Sequence, residues 1–179
     1  MTGILRWLDR TARPWPLAAM LALIALWRTL MQRTQDRLYE VSGQSILDYE
    51  ILYSRERVIE VLSAYGLEGM QLYKQFMAYD LVFPALYGVF FASLIHLGVR
   101  GTRFRLLALA PLAMAAFDYI ENGLFYLFIL ALPDVPGPAV VAANAMTLGK
   151  FGLGGLSAIA GVGAVVLFLR ARAGVRRGV

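Results

Sequence analysis

Cysteine is absent from the chain, which excludes disulfides, thiolate metal sites and thiol redox catalysis at one stroke. The small four-helix thiol oxidoreductases are excluded with them. Histidine occurs once, at His96, so paired-histidine haem ligation and multi-histidine metal centres are ruled out. His96 itself reads as an interfacial residue beside Arg100. Charge is scarce as well: 16% of residues are Asp, Glu, Lys or Arg, against about a quarter in an ordinary soluble domain. No Walker loop, dinucleotide fingerprint, HExxH helix or GxSxG elbow occurs. No repeat links the two halves, which disfavours an inverted-repeat transporter.

Apolar sequence is what the chain has in excess. Hydrophobic residues are 59% of the 179, and mean hydropathy is +0.62. A water-soluble fold would need to hide several long apolar runs under too little polar sequence, so the bilayer is the better solvent. A helical span needs about 20 mainly apolar residues. Four stretches qualify: about 14–31, 76–99, 105–132 and 139–169. Pro14 and Pro16 are tolerated in a first turn, Pro84 should kink the second span, and PDVPGP (Pro133 to Pro138) is a turn between the last two. The basic residues Arg6, Arg10 and Arg13 precede the first span, and no small-x-small cleavage site follows it. That span is therefore expected to be an uncleaved anchor.

The net charge of +5 does not point to nucleic acid, because the basic residues stand in short clusters beside the apolar runs. Ten fall on one side of the expected membrane: Arg6, Arg10, Arg13, Arg100, Arg103, Arg105, Arg170, Arg172, Arg176 and Arg177. The other side has five: Arg33, Arg37, Arg55, Arg57 and Lys74. The positive-inside rule then puts both termini in the cytoplasm. The expected fold is an all-α integral membrane protein, one membrane domain over 1–179. It would be a left-handed four-transmembrane-helix bundle with a small extracytoplasmic helical cap in the segment 32–75 between spans one and two. In that cap Ser54 should cap a helix with Val58, Val61, Leu62 and Tyr65 on one face, and Gly66 should end it.

Ionisable residues within apolar spans cost a few kcal/mol each and usually face the interior with partners. Arg28, Asp80, Asp118, Glu121 and Lys150 are such residues. At about 1.5 Å rise per residue they lie roughly 20–28 Å from the cytoplasmic ends of their spans, in one slab of the outer half-bilayer. Asp118, Glu121 and Asn122 share a face at i, i+3 and i+4, and Asn144, Thr147 and Lys150 cover one side of span four. Three acids against two bases make a nearly neutral network, which is tolerable when each member is hydrogen-bonded. These residues are the candidate ligand-binding set: Arg28, Asp80, Asp118, Glu121, Asn122, Asn144 and Lys150. They suit a small amphipathic or lipid-like molecule. If the chain is an enzyme, Glu121 or Asp118 is the candidate general acid/base, with Lys150 stabilising negative charge. A metal at Asp80, Asp118 and Glu121 is disfavoured by the two cations nearby, and none is expected. The competing reading is a non-catalytic subunit or assembly factor whose charges only lock helices in register.

Small residues Gly154 and Ala158, and Ser157 and Gly161, are spaced for close helix approach on span four, either within the chain or in a homo- or hetero-oligomer. The YDLVFP opening of span two and the FDYIENGLF centre of span three resemble small bacterial membrane proteins. That resemblance implies an inner (cell) membrane location. Sterol-isomerase-type bundles also carry intramembrane acids, an analogy of architecture alone.

Overall fold

The computed structural model describes residues 2–177, and side chains from residue 3 to residue 170. The side chains of Arg172, Arg176 and Arg177, part of the topology argument, lie outside the described residues. The structure is all-helical, 86% helix, with no strand among the described residues. Its α-helices are α1 (Thr2–Thr11), α2 (Pro14–Ser42), α3 (Arg55–Ala64), α4 (Gly66–Asp80), α5 (Phe83–Val99), α6 (Ala110–Ala131) and α7 (Gly137–Arg177), with short 3-10 turns at Leu47–Tyr49 and Arg105–Leu109. Four stretches are long and apolar enough to cross a membrane: Pro14–Ser42, Gly66–Val99, Arg105–Ala131 and Gly137–Arg170.

The first of these is longer than the apolar run that announces it. Residues 32–42 are polar, yet α2 continues through them because Gln, Arg, Leu and Glu are good helix formers and one face remains covered, with Thr34, Gln35 and Leu38 buried. Gly43, at φ +68°, ends the helix in the left-handed conformation and donates its N–H to the Tyr39 carbonyl, as expected of glycine just past a helix C-terminus. The second stretch is broken where Pro84 makes a break natural. α4 stops at Asp80, α5 starts at Phe83, and the Tyr119 hydroxyl donates to the Leu81 carbonyl at 2.9 Å. A backbone acceptor freed by the break thus gains a side-chain donor.

The chain separates into two compact units. One comprises residues 1–24, 85–115 and 151–179, the other 25–84 and 116–150. The core of the first is built of small side chains: Leu8, Ala92, Ile95, Val99, Ala108, Ala160 and Ala164. Small residues let backbones approach closely, and a Cβ on Gly98 would run into the backbone of Ala164. The core of the second unit is bulky and aromatic, with Tyr53, Tyr65, Tyr73, Phe76, Phe125 and Phe128 buried together with Leu38, Leu47, Val58 and Leu62.

Helix α3 forms as its sequence dictates. The Ser54 hydroxyl accepts the Arg57 N–H at 3.2 Å, and Val58, Val61, Leu62 and Tyr65 are all buried. Gly66, at φ +58°, turns the chain into α4. Many large apolar side chains elsewhere point outward, including Ile159 at 75%, Val141 at 70% and Leu130 at 67% exposure.

Candidate functional site

In the second unit, α6 carries Asp118, Glu121 and Asn122 on one face, and α7 presents Thr147 and Lys150 to it. A glycine permits this approach: a Cβ on Gly149 would collide with the Phe117 ring. The Lys150 ammonium contacts Glu121 Oε2 and lies 3.0 Å from Asp118 Oδ1. The other Glu121 oxygen accepts the Thr147 hydroxyl. Glu121 is wholly enclosed, and Asp118, Lys150 and Asp80 are each more than nine-tenths buried. Asp80, the last residue of α4, accepts from Asn122 Nδ2 at 2.6 Å.

A fourth acid joins them. Asp48 stands on the 3-10 turn of the loop between α2 and α3, and its Oδ1 lies 3.8 Å from Lys150 Nζ. Burial pushes its carboxyl up to about 8; the Lys150 ammonium pulls the other way, and Asp80, Glu121 and Asp118 add to the rise. The loop is held in place by Asn144, whose Oδ1 accepts the Tyr53 N–H at 3.1 Å and whose Nδ2 donates to the Tyr53 carbonyl at 2.8 Å. Arg55 ties the same segment to the α6–α7 turn by donating to the Val135 carbonyl at 2.6 Å. Arg57 braces it internally through Glu50 at 2.6 Å and Glu60 at 3.1 Å.

Of the residues singled out from sequence, Asp80, Asp118, Glu121, Asn122 and Lys150 come together. Asn144 is adjacent but serves as a backbone clamp. Arg28 stands apart: it is exposed, and its guanidinium reaches only the Tyr49 hydroxyl, at 3.5 Å. Its place on α2 turns it outward, and its long side chain keeps the charged head accessible. Asp48 was missed because it lies outside every apolar run. Its signal was local: ILDYEIL sets two acids, Asp48 and Glu50, among four aliphatic residues in an otherwise polar loop.

The charge count changes accordingly. Without Arg28, and with Asp48 added, one base faces four acids: Lys150 against Asp48, Asp80, Asp118 and Glu121. Carboxylate oxygens of Asp48, Asp118 and Glu121 lie within 4.8 Å of one another, a spacing hard cations accept. Lys150 Nζ already occupies their midst, so these acids are organised around an ammonium. The elevated Asp48 carboxyl favours its protonated form, which removes one of these negative charges.

Beside this cluster a groove of about 440 Å³ is lined by Met77, Ala78, Leu81, Tyr119, Asn122 and Tyr126, with Lys74 at its exposed edge. Its walls are mainly apolar, and Asn122, which holds Asp80, is its buried polar group. Gly123 also borders it, and a Cβ there would meet no atom within 4 Å. No protein-family model, curated protein or solved structure matches the chain.

Proposed function

We propose that the chain is a four-span inner-membrane bundle with cytoplasmic termini, and that its second unit binds a small amphipathic or lipid-like molecule. The outward-facing aliphatic side chains support membrane residence, because an exposed apolar surface of this extent is unfavourable in water. The observation that carries the binding reading is the largely apolar groove whose buried polar group, Asn122, is hydrogen-bonded to a buried acid. The ligand's apolar body lies along Met77, Leu81 and Tyr126, and its polar head meets Asn122. Apolar walls with few fixed polar groups are the usual make-up of a ligand site. Glu121, enclosed and with both oxygens engaged, holds Lys150. Asp80 is the acid nearest the ligand in this arrangement, and proton exchange with the head group falls to it.

The alternative, a non-catalytic subunit or assembly factor, draws support from the completeness of the Lys150–Glu121–Thr147 contacts, which need no ligand to be satisfied. One experiment separates the two. Gly123→Phe should fill the groove while preserving the fold, so the variant purified in mild detergent should lose a co-purifying lipid seen by mass spectrometry at an unchanged melting temperature. An unchanged lipid complement would refute the groove as a binding site. Lys150→Met should cost about 3–5 kcal/mol on either reading, because it leaves buried carboxylates without their cation.

A further inference from the structure

The first unit carries a separate concentration of charge, of the opposite sign. A cleft of about 540 Å³ is lined by Leu5, Arg6, Asp9, His96, Arg100 and Arg105. Arg6 and Asp9 are one turn apart on α1. His96 and Arg100 are one turn apart at the end of α5, and Gly101, at φ +81°, reverses the chain to bring Arg105 to the same cleft. Three guanidinium groups against one carboxylate leave a net charge of +2 with His96 neutral. The C-terminus of α5 contributes only about half a negative charge, and its carbonyls at His96 and Val99 are taken by the N–H groups of Arg100 and Thr102. The balance stays clearly positive.

Two further observations point to a ligand. Among the described residues neither Arg100 nor Arg105 makes an ion pair. His96 is 4% exposed; its Nε2 is 2.9 Å from Asp9 Oδ1, and its buried Nδ1 has no hydrogen-bond partner. The cleft's one carboxylate, Asp9, is thus already engaged by His96, which leaves Arg100 and Arg105 to face a polar guest. Guanidinium forks match the oxygens of phosphate, and three of them suit a group with several anionic oxygens. The cleft volume falls in the range of about 300–1,000 Å³ typical of small-molecule sites. The flanking helix α1 buries Leu8 and turns Ile4 and Trp7 outward, the habit of a helix lying at a membrane surface.

We propose that this cleft binds a phosphate group, carried by a phospholipid headgroup or as the free anion. The full-length protein in mild detergent would be melted, with tryptophan fluorescence as readout, against phosphatidylglycerol, phosphatidylcholine and inorganic phosphate at constant ionic strength. Stabilisation by phosphatidylglycerol but not phosphatidylcholine assigns the headgroup, and stabilisation by inorganic phosphate alone assigns the free anion. In either case Arg100→Gln with Arg105→Gln should weaken the apparent affinity on the order of tenfold. The corresponding pair of lysine substitutions keeps the charge but loses the fork, and should weaken it roughly threefold or more. Arg103→Gln is the control, since Arg103 stacks on the Phe104 ring at 4.9 Å and does not line the cleft. All these positions are exposed, where substitution rarely unfolds a protein; circular dichroism would check the fold of each variant. The proposal fails if no phosphate compound stabilises the wild type, if both lipids act equally, if Arg103→Gln weakens binding as the glutamine pair does, or if the lysine pair binds as tightly as the wild type.

Discussion

Asp48 concentrates the chemistry of the second unit in one side chain. It comes from a loop, sits 13% exposed beside Lys150, and has its carboxyl pushed up from 3.8 to about 8 by burial. The folded state therefore holds the Asp48 proton more tightly than the unfolded chain does. Its contribution is fully favourable below about pH 4 and is lost as pH rises toward 8, by an amount on the order of a few kcal/mol. Melting temperatures of the detergent-solubilised protein between pH 5 and 8.5 should fall with rising pH, and Asp48→Asn should flatten that decline. A decline of equal steepness in the variant would move the effect to other acids. At this scale the sequence was only partly legible. Asp80, Asp118, Glu121 and Lys150 stand out because they interrupt apolar runs, and their helical spacing predicts shared faces. Asp48 and the outward turn of Arg28 depend on how a loop packs and how α2 is rotated, which no periodicity records.

At the scale of elements, the decisive device is the clamp between α7 and the loop before α3. Asn144 makes two hydrogen bonds to the backbone of Tyr53, next to Leu52, which is held at φ +62°. A branched aliphatic residue in the left-handed region costs about 1–2 kcal/mol, so the clamp fixes a segment that would otherwise relax. Asn144→Ala should cost about 1–3 kcal/mol and increase amide hydrogen exchange selectively over residues 44–54. Uniform exchange across the chain would argue against a local clamp. The elements themselves were largely readable. Ser54, the Val58–Val61–Leu62 face, Gly66, Pro84 and the PDVPGP turn act as their chemistry dictates. The extension of α2 to Ser42 was not, since polar residues with good helix propensity look the same in a solvated helix and in a loop.

For the whole molecule, the absence of cysteine becomes an experimental asset, because any introduced thiol is unique. Ile51, at 56% exposure, and Arg103, also exposed, lie on opposite sides under the positive-inside assignment. Ile51→Cys should react with an impermeant maleimide on intact cells, and Arg103→Cys only after the membrane is permeabilised. The reverse pattern would invert the orientation, and labelling of both on intact cells would remove the membrane from the account. The four long apolar helices were legible from composition alone, because such stretches can be counted without knowing any contact.

The position of Lys150 in the sequence has a consequence for biogenesis. Asp48, Asp80, Asp118 and Glu121 are all translated before it, so a ribosome that has finished α6 has produced every acid of the cluster and none of its cation. Until α7 arrives, the partly made protein holds acidic side chains that must stay hydrated or take up protons, and its aromatic core cannot close around them. A chain that ends before α7 therefore lacks the cation around which Asp48, Asp118 and Glu121 are packed, whereas the full-length chain can close the cluster.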